Sequence, residues 1–440
     1  MGGMRVILGI FRLLAAAALV YGAHDWRAPL FASIRYAVLA GLIALSLALI
    51  VAELWAMRSP ASRKLPRALS LMTLLMAALV LAWTLAIEAR FQWLRHAVLN
   101  ADASELEPLG RHFIVGYRNA EALKALIERR AIAGVFLAAP NVAQRSAAEI
   151  TGEIAGWQEI RRRQGLPALW ISTDQEGGSV SRMSPPLPRQ SSLAEVVAAQ
   201  TDSAGRARAI RDYAAEQGQA LRTLGVNLDF APVVDVNHRV ISAGDRYSQI
   251  YRRAISEDPQ IIAQAASVYC LGLHDNGVGC TLKHFPGLGR VVTDTHLDDA
   301  DLDVPLATLM QTDWVPFRAL MENQAPFVML GHVRLTAIDR ERPASFSPAV
   351  IDGLLRGDWR FRGVLITDDA SMGAFYGSAW GITGGALQAL NAGVDLILIS
   401  YDPDQYFPVM YSLLQAARAG LLRADRLSES DRRLDAAAQP

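Results

Sequence analysis

The 440-residue chain predicts an α/β fold, a (β/α)8 barrel of the TIM type, preceded by a module of about three transmembrane helices. Two observations carry this. An apolar excess is concentrated before about residue 90, in uncharged runs long enough to cross a bilayer as helices. After it, eight short apolar runs alternate with longer amphipathic stretches, the rhythm of βα units around a parallel sheet. The expected boundary falls between residues 97 and 98.

The membrane module comes first in the chain, with spans expected near 6–23, 36–57 and 68–88. Residues 68–87 and 36–52 carry no charge, while the first run is broken by Arg12. An Arg is costly within lipid but can snorkel near a helix end. A cleavable signal peptide is the alternative for that first run, although nothing downstream of it resembles a cleavage site. The short loop between the second and third spans carries Arg58, Arg63, Lys64 and Arg67 with no acid. The positive-inside rule places this loop in the cytoplasm, and Arg5 agrees with an inside N-terminus. The third helix then delivers the large domain outside. The expectation is a multi-pass protein of a bacterial inner membrane, with its large domain facing the periplasm or the cell exterior.

Barrel strands are expected at 112–117, 134–139, 168–173, 228–236, 277–285, 326–333, 363–369 and 394–400. Helical patterns between them include 202–225 and 258–277. The latter opens with Asp258–Pro259, a cap followed by proline in the first turn, and both close at a Gly. Eight strands each followed by a helix is the barrel count. The polar, Ala-rich tail beyond about Arg423 is expected to attach loosely. The 43 basic and 43 acidic residues cancel, so no electrostatic case for nucleic acid arises. Cys270 and Cys280 show no CxxC or metal-ligand spacing and read as two buried free thiols. A disulfide is the alternative if the domain is extracytoplasmic.

In such barrels chemistry sits at the C-terminal ends of the strands. Asp174, Lys283, His284, His332, Asp368 and Asp369 all end strand-like runs. Apolar strands ending in Lys-His, Gly-His or Thr-Asp-Asp suit a mouth lined with donors and carboxylates better than they suit packing. No ligand spacing supports a metal, and no Gly-rich loop supports a nucleotide cofactor.

Two long motifs carry a family resemblance. KHFPGLGRVVTDTH (283–296) and LLRGDWRFRGVLITDDAS (354–371) resemble segments of the bacterial β-N-acetylglucosaminidases of glycoside hydrolase family 3. DQEGG (174–178), NLDFAPVVDVN (227–237), GHV (331–333) and DRERPASFS (339–347) follow the same family in order, so the resemblance spans roughly 100–420. It implies Asp368 as nucleophile and His296 as acid/base, on a mobile loop after the fifth strand, with Asp294 as its partner. It further implies that Asp174, Arg182, Lys283 and His284 hold the sugar. The family's sugar-binding Arg segment is altered here: spacing to Asp258–Pro259 selects Arg253, with Arg246 as competitor. Ser179 stands where the family often has Arg. The implied activity is a retaining exo-hydrolysis of terminal β-linked N-acetylglucosamine from peptidoglycan fragments. Its partners would be a glycan or muropeptide substrate and the lipid bilayer.

The residue types fit that chemistry. Cleavage needs an acid for the leaving oxygen and a carboxylate near the anomeric carbon, which in a retaining enzyme forms a covalent intermediate. A His suits the switch from acid to base because its ordinary pKa is near 6.5. In an extended loop, residues two apart share a side, so Asp294 can hold the His296 ring. Gly287 and Gly289 would give this loop freedom to move. His332 either lines the pocket or packs beneath it. Asp369 reads as a supporting acceptor, Asp229 and Asp235 as structural, His238 and His274 as surface or helix residues, and 298–303 as a solvated loop. A β-glucosidase or xylosidase relative is disfavoured by the Asp-Thr-His motif and by the chain ending soon after the eighth strand. Phosphorolysis and a non-catalytic, membrane-tethered glycan-binding barrel are the remaining alternatives.

Overall fold

The computed structural model describes residues 2–58, 64–323 and 327–438. It divides into two compact units, Met1–Ala97 and Val98–Pro440. Arg63, which contributes to the expected cytoplasmic loop, lies outside the described residues.

The first unit consists of α1 (Gly2–His24), α2 (Arg35–Met57) and α3 (Lys64–Leu99). Each holds a stretch apolar and long enough to cross a membrane: Val6–His24, Arg35–Met57 and Arg67–Leu99. The third helix runs on past residue 88 without a break. Arg12 finds a partner in Glu53, at 2.9 Å from Nε to Oε1, and Glu53 is fully buried. This pairs the one charge that interrupts the first run. Ala23, Trp26, Leu42 and Val80 pack together, whereas many Leu, Ile and Val side chains on the helices point outward.

The second unit is a closed barrel of eight parallel strands. They are β1 (Phe113–Val115), β2 (Gly134–Phe136), β3 (Trp170–Thr173), β4 (Leu228–Asp229), β5 (Gly279–Phe285), β6 (Phe327–Leu330), β7 (Leu365–Asp369) and β8 (Leu396–Ile399). Every expected strand contributes one, and β1 closes on β8 with Phe113 opposite Ile397. The fourth is the most shortened. Pro232 has no N–H to give to a ladder, so pairing past Asp229 continues as single contacts such as Val234 N–H to Lys283 O at 2.8 Å. Ile114, Phe136, Leu228, Phe230, Met329, Ile366 and Leu398 fill the interior.

Around the barrel run α4 (Ala103–Gly110), α5 (Ala147–Arg163), α6 (Ser203–Leu224), α7 (Pro259–His274), α8 (Val315–Asn323) and, last in the chain, α9 (Ala424–Ala437). The caps follow the sequence pattern. Asp202 accepts from Gly205 N–H, Asp258 accepts from Gln260 N–H, and Gly225 ends α6 at φ +92°. The seventh helix stops at His274, three residues before Gly277.

Two expectations are corrected. The tail beyond Arg423 is α9, docked rather than loose. Its buried Ser430 and Leu434 lie on one helical face, and Arg433 reaches the buried Asp395 at 2.8 Å. Polar composition concealed that single inward face. Cys270 and Cys280 are buried as expected, but they form a disulfide and are not free thiols. The turn after α7 folds the chain back, so residues ten apart in sequence bring their Cα atoms to 5.4 Å.

Candidate active site

The polar ends of β3, β5 and β7 converge at the C-terminal mouth of the barrel. One cluster forms between β3 and β5. The Lys283 ammonium lies 2.7 Å from Asp174 Oδ1 and 2.6 Å from Glu176 Oε1. Arg253 grips the same Glu176 through two bonds, Nε at 2.9 Å and Nη2 at 2.6 Å. The fork geometry makes this a strong, oriented pair. Burial opposes the charge on Glu176, but Arg253 and Lys283 outweigh it and hold its carboxyl well below the usual range. Burial likewise opposes the charge on Lys283, and Asp174 with Glu176 raises its pKa. Asp174 is the most open member, 22% exposed against 2% for Lys283.

The local chain path follows from glycine. Residues 175–177 turn back to pair with Val180–Ser181 through Gly177 and Gly178, both at positive φ. A Cβ on Gly177 would strike Tyr213 Oη and the Ser191 carbonyl. That turn lays Glu176 beside Arg253. His284, the next residue after Lys283, is oriented by Asp235: its Nδ1 lies 2.7 Å from Asp235 Oδ2, and its Nε2 lies 3.4 Å from Arg253 Nη2. Asp235 also accepts from Leu288 N–H at 2.7 Å. The structural reading of Asp235 therefore holds in a specific sense, as the orienter of His284. Buried Asp229 accepts from Gln175 N–H and Tyr269 Oη–H, and burial pushes its carboxyl pKa up.

Asp368 ends β7. Burial opposes its ionisation, yet the His284, His332 and His296 rings and the Asp369 N–H outweigh burial and keep its pKa below the ordinary carboxylate value. Asp369 faces away and accepts from Ser371 N–H, Tyr401 N–H and Ser400 Oγ–H, as expected of a supporting acceptor. His332 does not line the mouth as a free ring. It is fully buried, with Nδ1 2.8 Å from Ser345 Oγ and Nε2 3.0 Å from the Asp369 carbonyl, so it packs beneath the β7 end. Burial, partly offset by Asp368, lowers its pKa, which favours the neutral ring.

His296 and Asp294 sit on the loop after β5. His296 Nδ1 lies 2.8 Å from Asp294 Oδ1. The same carboxylate accepts from the N–H groups of Arg246, Tyr247 and His296 and from Ser248 Oγ–H, at 2.7–3.0 Å. Burial opposes its charge, but the His296 ring, the Tyr247 N–H and the His296 N–H together hold its pKa far below the usual range. His296 itself is 38% exposed. A proton donor accessible at the mouth, backed by a permanently charged carboxylate, is suited to acid/base work.

This loop is fastened at several points. Gly373 N–H donates to the His296 carbonyl at 2.9 Å and Ala374 N–H to Thr295 at 3.1 Å. Gly289 lies against Val236, whose carbonyl oxygen a Cβ would strike, so it serves close approach and not freedom of movement. Asp313, two residues before α8, holds both Arg290 and His238, at 3.0 and 2.9 Å. His238 is thus a half-buried tether in place of the surface or helix residue expected. The expected solvated loop at 298–303 is also ordered. Asp301–Leu302 pairs with Arg334–Leu335, and Arg334 bridges Asp299 and Asp301.

The structure thus brings together Asp174, Arg253, Lys283, His284, Asp368, His296 and Asp294. It leaves Arg182 out of the cluster: its side chain is exposed, and only its N–H reaches Asp174, at the carbonyl. Arg246 contributes its main chain to Asp294 and exposes its side chain, so Arg253 is the guanidinium in the cluster. Sequence reasoning missed Glu176 and Ser248. Glu176 was legible as the residue two positions after Asp174, on the same side of an extended segment. Ser248 had no local signal. Among the described residues, no group of three or more His, Cys, Asp or Glu gathers as a metal site.

Comparison with known proteins agrees with this geometry. Residues 99–437 match the family model for the glycosyl hydrolase family 3 N-terminal domain. A protein named beta-hexosaminidase from Xanthomonas campestris is 38% identical over 280 residues, which is 62% of this chain and 79% of that one. A glycoside hydrolase family 3 β-N-acetylglucosaminidase from Paenibacillus superposes with a TM-score of 0.67 at 30% identity, covering 75% of this chain and 61% of that one. A family 3 glycosyl hydrolase from Mycobacterium smegmatis superposes at 0.66 and 31% identity, over 78% of this chain and 99% of the other. The chain belongs to glycosyl hydrolase family 3.

Proposed function

We propose that this family 3 glycoside hydrolase removes terminal, non-reducing β-linked N-acetylglucosamine with retention of configuration. The names of the Xanthomonas and Paenibacillus relatives support the sugar. One observation carries the catalytic reading: the Asp294–His296 pair is docked, through Gly373 N–H to His296 O, on the segment that follows Asp368. A lowered carboxyl and an accessible imidazole thus share one mouth.

The steps follow from these groups. Asp368 attacks the anomeric carbon as His296 gives a proton to the leaving oxygen, forming a glycosyl ester and a neutral imidazole. That imidazole then takes a proton from water, which attacks the anomeric carbon and frees Asp368. Asp294 stabilises the imidazolium form and fixes the ring. Asp174, Lys283, Arg253 and His284 bind the sugar hydroxyls, and Arg182 joins them only when substrate orders it. Glu176 keeps Lys283 and Arg253 charged and in place, and His332 supports the β7 end.

The first unit anchors the enzyme in a bacterial inner membrane, with residues 98–440 on the periplasmic or outer side. The three apolar helices, the basic loop around Arg58 and Arg67, and the Cys270–Cys280 disulfide support this, since disulfides persist in oxidising compartments. Peptidoglycan fragments are the substrate that such a position offers. The test is release of 4-nitrophenol from the β-N-acetylglucosaminide against the β-glucoside by the full chain in detergent. Selective release that Asp368→Ala abolishes is expected. Equal release from both sugars, or release unchanged in the variant, would overturn the assignment.

A further inference from the structure

At the opposite, N-terminal end of the barrel, a cavity of about 120 Å³ opens between α4, the segments leading into β2 and β3, the end of α5, and α9. Arg111, Arg130 and Arg161 line it, together with Glu107, Asp435 and Trp170. Two of the guanidiniums are matched: Arg130 pairs with Glu107 at 2.8 Å, and Arg111 pairs with Asp431 and Asp435. Arg161 is not. It is 95% buried by its 5% exposure, its Nε donates to the Pro167 carbonyl at 3.3 Å, and it forms no ion pair among the described residues.

We propose that this cavity is a binding site for a phosphate-bearing anion, with Arg161 as the principal ligand and Arg111 and Arg130 beside it. A buried guanidinium without a carboxylate is costly, and a planar fork of N–H donors matches the oxygens of a phosphate. Its electrostatics agree. Burial above all, then the charges of Arg111 and Arg130, against the pull of Glu107, bring the Arg161 pKa down to about 10. The site therefore holds an unmet demand for negative charge. The nearby carboxylates Glu107, Asp431 and Asp435 are taken up by Arg130 and Arg111, so Arg161 alone lines the cavity without an ion pair among the described residues. The catalytic mouth lies at the other end of the strands, so the site is separate from the glycosidase chemistry.

A soluble phosphate and an anionic lipid headgroup present the same group, and two probes separate them. The full chain in neutral detergent is titrated into inorganic phosphate, and binding is read from the ³¹P linewidth. A second titration uses dihexanoyl phosphatidylglycerol, with the phosphatidylcholine of equal length as control. Saturable binding of phosphate assigns a soluble ligand. Saturable binding of phosphatidylglycerol alone assigns a headgroup. In either case Arg161→Gln weakens binding about tenfold or more, the loss expected for a charge-assisted bond, while 4-nitrophenyl glycoside hydrolysis is unchanged. The proposal is overturned if neither probe binds saturably, if phosphatidylcholine binds equally, or if Arg161→Gln binds as tightly as the parent. Should that variant not fold, Arg111→Gln on the cavity rim decides, with weaker binding expected and unchanged binding overturning the proposal.

Discussion

The N–H of Gly373 donates to the carbonyl of His296 at 2.9 Å, so the candidate proton donor is fastened to the segment that leaves the candidate nucleophile strand. Only glycine fits there, because a Cβ would strike the Leu297 carbonyl. Gly373→Ala should therefore push the His loop off its seat. A misplacement of about 1 Å costs roughly 100-fold in rate, so kcat should fall by about that much. Steady-state kinetics with an unchanged thermal midpoint would establish the effect as positional.

Asp368→Ala should lower kcat about 10⁴-fold or more, the scale seen when a nucleophile is deleted. A slow fluorinated N-acetylglucosaminyl fluoride should leave a covalent hexosaminyl adduct on the Asp368 peptide of the parent enzyme, read by mass spectrometry. Proton NMR of the first product should show the β-anomer. An α-anomer as first product would refute retention.

In kcat/KM, which reports formation of the glycosyl ester, His296→Ala should cost about 10²–10⁴-fold with a sugar leaving group, the usual contribution of acid/base catalysis, and much less with 4-nitrophenol, which departs unaided. Equal losses of kcat/KM on both would argue that the ring has a structural role. Ser248→Ala removes one hydrogen bond from Asp294 and should have a modest effect, about 0.5–1.5 kcal/mol on the barrier or on stability.

Glu176 sets an acid limit. Its folded pKa is depressed, so its contribution to stability is complete above the ordinary carboxylate range near 4 and is lost as pH falls toward the folded value. The thermal midpoint should drop below about pH 4. Glu176→Gln should flatten that drop while costing about 3–5 kcal/mol near neutral pH, because Arg253 and Lys283 then share one carboxylate fewer. An unchanged acid slope in the variant would remove Glu176 from this role.

Replacing Cys270 and Cys280 together by Ser should lower stability by about 2–3 kcal/mol, and the parent should lose a similar amount on reduction. Alkaline phosphatase fused at residue 100 should be active, and a reporter that works only in the cytoplasm should be silent. The reverse pattern would overturn the proposed topology.

The linear order of residues determined the eight strands, the capped helices and the two long motifs. Periodicity, capping and strand-end polarity are local properties, written within a few residues. Lys283, His284 and Asp368 could be picked out because each sits at a predicted strand end, and the Asp294–His296 pair through the resemblance of its motif to the family's. Distant pairings could not. The grip of Arg253 on Glu176, Asp235 on His284, Ser248 on Asp294, and the Cys270–Cys280 bond join residues whose separation in sequence says nothing about their distance in space. The strand order of the barrel sets which strand ends and following loops are neighbours, and the turn from α7 into β5 brings the two cysteines together. The tertiary structure also docks α9 and leaves Arg161 buried without an ion pair among the described residues.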